Sequence, residues 1–190
     1  GCDLAAAIVN GNTITGYVTF AEALAAAQTD ANKECILELF TDTNEDFTAE
    51  KGIFTLNAKG HSVNGNITVN GATLSTEYGY FNGSITVEGG ELRIEGGYYN
   101  NTMSVKAGGK LFIFSGDCSS TVTAEAGGRL TVGNGGVKDM VARSGSMLTV
   151  SNGNHAALTI EENVNAVLSG GYFGKITVVG KQLIDCLDEN

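Results

Sequence analysis

An 18-residue spacing of apolar triplets runs through most of this chain, and few folds can satisfy it. Lines started at Phe47, Ile67, Ile85, Met103, Val122, Met140, Leu158 and Ile176 advance by 20, 18, 18, 19, 18, 18 and 18 residues. Each line reads apolar-x-apolar, Gly-rich turn, a second apolar-x-apolar, a second turn, and a short third apolar segment. Alternation with period two between turn residues describes strands, not helices. Aligned this way, apolar residues fall into five columns. The first runs from Phe47 to Ile176, the second from Ala49 to Val178 and the third from Phe54 to Ala166. The fourth runs from Leu56 to Leu168 and is broken by Thr76; the fifth runs from Val63 through Cys118 and His155 to Phe173.

A single repeat cannot enclose its own apolar side chains, whereas stacked repeats bury them as one continuous core. The pattern therefore predicts an all-β, single-stranded parallel β-helix of about seven rungs of 18 residues. A right-handed coil is favoured. The left-handed hexapeptide arrangement also uses 18 residues per rung, but it needs an aliphatic residue every sixth position, and from Ile85 those positions hold Glu91 and Gly97. The 27 glycines and the total absence of proline fit the same architecture. Corners need residues that tolerate positive φ, and a stacked strand must donate its N–H to the next rung.

The ends read as caps, giving three regions: residues 1–46, the solenoid over 47–180, and residues 181–190. Val9-Asn10-Gly11-Asn12 is a hairpin turn signal. Thr19-Phe20-Ala21-Glu22 is a capping box opening a short helix with Phe20, Leu24 and Ala27 on one face. Cys35 to Phe40 is a leading strand, and Lys181 to Asp188 reads as a closing helix.

The arrangement Gly16-Tyr17-Val18-Thr19-Phe20-Ala21-Glu22-Ala23-Leu24, then Ile36-Leu37-Glu38-Leu39, then Gly-rich rungs resembles the β-helical modules of bacterial secreted and cell-surface proteins, especially of gut anaerobes. Ser169-Gly170-Gly171-Tyr172-Phe173-Gly174 and Leu183-Ile184-Asp185-Cys186-Leu187 fit that resemblance. It implies an extracellular or cell-surface location, with any leader outside this sequence, and a structural or adhesive role against surface glycans or proteins. It implies no catalytic residues and no cofactor.

A net charge of −10 disfavours nucleic acid and anionic membrane surfaces, and no apolar run is long enough to span a bilayer. Outward of the second column, Glu88, Lys106, Glu125, Arg143 and Glu161 alternate in sign on five successive rungs, the pattern of an ion-pair ladder that helps to set register. The outward column from Thr48 to Thr177 is mostly threonine. It raises ice binding, but a second threonine column on the same face is not evident, and threonine is an ordinary exposed strand residue. Cysteine and histidine positions give no metal spacing: Cys118 and His155 belong to the core, and Cys118 and Cys186 lie too far apart to pair. Cys2 and Cys35 are close enough in sequence for pairing to stay open. Tyr80, Tyr98 and Tyr172 precede fifth-column residues and should face outward, with Tyr80 and Tyr98 on adjacent rungs offering a platform for a sugar ring. The rival to a non-catalytic structural or adhesive module is thus a glycan-binding or pectate-lyase-like glycan-cleaving β-helix. The repeats supply only Asp117 and Asp139 as aspartates and no paired acids for cleavage.

Overall fold

The computed structural model describes residues 3–180 and the backbone of residues 183–186. It is a β-solenoid of about eight stacked parallel coils. Strand pairing reproduces the sequence columns: Ile67 lies opposite Phe47 and Ile85, Met103 opposite Ile85 and Val122, and Met140 opposite Val122 and Leu158. Leu74, Leu92, Leu111, Leu130 and Leu148 stack in the same way, as do Phe81, Tyr99, Cys118, Val137 and His155. These inward side chains are buried and form one core along the axis. At the last coil, Ile176 and Val178 of the first two columns become exposed.

The extra coil comes from the N-terminal side. β1 (Ala6–Asn10) and β2 (Thr13–Tyr17) form an antiparallel hairpin, α1 (Phe20–Ala27) follows, and β3 (Cys35–Leu39) stacks parallel on Ile53–Asn57. The expected leading strand is therefore already part of the stack, with Cys35 opposite Phe54 and Leu37 opposite Leu56. β1 pairs antiparallel with β3, so the hairpin covers the edge that the first coil would otherwise leave open. The hairpin loop is Gly11-Asn12, with Gly11 at φ 58°, and Asn10 faces Thr13. Thr19 caps α1 by accepting from the Glu22 N–H at 3.2 Å. The buried face of α1 is Phe20, Ala23 and Ala27, while Leu24 is half-buried against the core.

At the other end the expected closing helix is not formed where the backbone is described. Leu183–Cys186 is a strand paired parallel with Asn165–Leu168, Cys186 lying opposite Leu168. The helical spacing of Leu183 and Leu187 loses to the 18-residue register, which offers Leu183 to Cys186 a ready ladder of backbone partners. The rest of that proposed helix lies outside the described residues.

Corners explain the glycines. Between the second and third columns, Gly52, Gly71, Gly90, Gly108, Gly127 and Gly145 all have positive φ, and Asn163 takes that role at φ 58° on the next coil. A polar ladder not foreseen from the sequence reinforces another corner. The side-chain amides of Asn64, Asn82 and Asn100 each donate to the amide oxygen one rung before, at 2.8, 2.7 and 2.7 Å, starting from Asn44. The break in the fourth column also has a reason. The Tyr99 hydroxyl donates to the Gly96 carbonyl at 3.0 Å, so the buried Thr76 hydroxyl, 2.7 Å away, donates to it in turn.

Candidate binding groove

The corner between the fourth and fifth columns carries glycine on six successive rungs: Gly79, Gly97, Gly116, Gly135, Gly153 and Gly171. Four of them have φ between 98° and 110°. At Gly97 and Gly116 an added Cβ would come within 2.9 Å of the carbonyl oxygen one rung before. The corner is therefore a trough floored by bare backbone. Its first part opens into a cleft of ≈ 640 Å³, with Tyr78, Tyr80 and Tyr98 along it, Lys59 at one end and Asp117 and Asn134 towards the other.

Tyr80 and Tyr98 are in register on adjacent rungs and about half exposed, as expected from their outward position. Their ring centroids are 5.3 Å apart with planes 14° from parallel. Parallel in-register strands place like side chains directly above one another, and the rings stack on each other. Each ring thus turns one face to the other, and both border the cleft. Tyr172 occupies the same column beyond Asp117, Gly136 and Asn154 and is not part of the cleft.

Tyr78 is the residue that pattern reading alone undervalued. It is 67% exposed and holds φ 51°, a conformation that bulky side chains rarely adopt. Nothing in the core requires a tyrosine there. A strained, solvent-facing aromatic beside two others is a functional signal, because the strain gains no packing in return. Spacing gives no sign of it: Gly79 keeps its place in the glycine column, while the positive φ of this rung falls on the residue before it.

The alternating column is distinct from this groove. Lys106 meets Glu88 at 2.9 Å, and Arg143 meets Glu161 at 2.9 Å and Glu125 at 3.6 Å. All five side chains are one-third to one-half solvent-accessible, so each contact contributes at most about 1 kcal/mol. A contrasting column near the groove holds like charges: burial first, and then Glu95 and Glu38, push the Glu77 carboxyl up. Lys59 pairs with Glu38 at 3.0 Å and relieves part of that repulsion. Among the described residues no group of three His, Cys, Asp or Glu side chains could hold a metal ion.

The core polar residues lie inside, as their column predicts. Burial and, less so, Asp117 push the Cys118 thiol up to about 12, so it is an inert apolar filler at neutral pH. Cys35 is buried with its Sγ 3.9 Å from the Ala27 carbonyl oxygen; Cys2 lies outside the described residues. His155 is buried against Phe173, its Nε2 3.1 Å from the Asn152 carbonyl oxygen. Burial lowers its pKa, opposed more weakly by backbone hydrogen bonding. The folded state thus holds the neutral ring, and the unfolded chain binds the proton more readily. Stability from this site is complete above pH ~6.5 and is lost as pH falls from there through the folded pKa. Tm measured from pH 7.5 to 5 should therefore fall more steeply for the parent than for His155→Val, which adopts the residue type of the adjacent rung. Equal slopes would remove His155 as the source.

The fold and groove define a class: a β-solenoid with a lateral aromatic cleft at one corner. The chain matches no protein-family model, no curated protein and no solved structure.

Proposed function

We propose that this chain is a non-catalytic adhesive module of a secreted or cell-surface bacterial protein, a rigid rod whose corner groove takes up a saccharide. The observation that carries this reading is the Tyr78–Tyr80–Tyr98 cleft over a glycine floor, with Tyr78 held in a strained exposed conformation. Tyrosine rings supply apolar C–H contact and hydroxyls together, and bare backbone lets a ligand approach closely. Asp117 is the one carboxylate on the cleft lining among the described residues, which supports binding over glycoside hydrolysis, since hydrolysis uses two. The location rests on the resemblance of the leader and closing segments to bacterial surface modules.

Titration of the intact chain against a panel of immobilised oligosaccharides tests it. Tyr98→Ala should weaken binding at least about tenfold, the loss of one ring contact and its hydroxyl worth roughly 1.4 kcal/mol. Tyr78→Gly is the more telling variant. It should weaken binding while leaving Tm unchanged or raising it, because glycine accepts the φ that tyrosine resists. No saccharide binding, or binding indifferent to all three tyrosines, would sink the proposal. Release of reducing sugar would transfer the groove to the glycan-cleaving alternative.

A further inference from the structure

Among the described residues, the N-terminal end of the rod carries an unpaired strand edge. Among the described residues β2 pairs with β1 alone, and four of its five residues are exposed. Natural edge strands are normally blunted by charge, proline, a bulge or a covering element. Thr13-Ile14-Thr15-Gly16-Tyr17 has no charge and no proline, and its register against β1 runs without a bulge. Beside it lies an apolar strip: Ile14 is 71% exposed, Val18 56%, and Leu4 and Phe40 42% each. Leu4, Val18 and Phe40 line one shallow cleft.

We propose that β2 is a self-association edge, pairing antiparallel with β2 of a second copy about a two-fold axis through Thr15. The sequence of the strand fits its own reverse. In that register Ile14 faces Gly16 of the second copy, and the Leu4 side chain lies where a Cβ on Gly16 would stand. Ile14 and Gly16 are two apart and share a face of the strand, so each Ile14 packs on the Leu4 side chain that fills the space over Gly16 of the other copy. Two-fold symmetry makes the contact twice. An uncharged strand is also the place where two copies of a chain with net charge −10 can approach without direct repulsion. The pairing extends the sheet from Ile53–Asn57 through β3, β1 and β2 into the second rod.

Sedimentation equilibrium across micromolar to millimolar protein tests it, with a mass of about twice 19.6 kDa expected at the upper end. Ile14→Lys should return the protein to a monomer, whereas Ile53→Lys, also solvent-facing at 52% exposure but elsewhere, should not. Ile14 is exposed in the single chain, so its replacement leaves folding intact. Register is read by oxidation: Thr15→Cys, placed opposite itself across a closely spaced strand pair, should cross-link into a dimer, and Ile14→Cys should not. A monomer throughout, a dimer that Ile14→Lys leaves unchanged, or equal cross-linking at both positions would overturn the proposal.

Discussion

Gly153→Ala should destabilise the protein by about 2–6 kcal/mol, lowering Tm on the order of 10 °C. Two costs coincide at this corner. Its φ of 110° lies where side chains other than hydrogen are strained. An added Cβ would also press on the carbonyl oxygen of Gly135 one rung before and reach within 2.8 Å of the His155 ring. Backbone stacked at the rung spacing has nowhere to retreat. Gly108→Ala separates the two costs: its φ is 83°, but nothing stands within 4 Å of the new methyl. That variant should lose only the conformational part, about 1 kcal/mol. Equal losses in thermal or urea unfolding would mean that rung stacking does not crowd the Gly153 corner.

Leu111→Ala should cost about 2–5 kcal/mol. Leu111 is fully buried between Leu92 and Leu130, and a solenoid layer has no loop or helix that could collapse into the gap. Because each coil contacts mainly its neighbours, a weak middle layer should also broaden the unfolding transition and separate the two halves of the rod. Ile176→Ala is the control: this first-column site on the last coil is 46% exposed, and its truncation should cost well under half as much. Comparable losses at the two sites in chemical denaturation would contradict a core built layer by layer.

The groove was only partly legible beforehand. Tyr80 and Tyr98 could be placed outward and adjacent because the register is periodic, and that inference needs no coordinates. Their stacking on each other depends on ring torsions, about which spacing says nothing. Tyr172 shared their column and so looked equivalent, yet three intervening rungs separate it from Tyr98. Tyr78 escaped because its importance is a backbone angle. The closing helix failed for a related reason: an apolar pair four apart fits a helix, but an existing sheet edge supplies partners that a short isolated helix lacks.

What the sequence by itself determined is the solenoid: the 18-residue period, the five inward columns, the glycine corners and the exclusion of proline. These follow because every coil must repeat the same inward and donor positions, so the constraint is written into each line of the chain. What only the tertiary structure decided is how non-equivalent groups meet. Thr76 accommodates the Tyr99 hydroxyl, the asparagines of four rungs join in one amide ladder, and β1 turns antiparallel to cover β3 while leaving β2 open. Those contacts depend on side-chain direction and on where the repeat stops, and a period carries no information about its own ends.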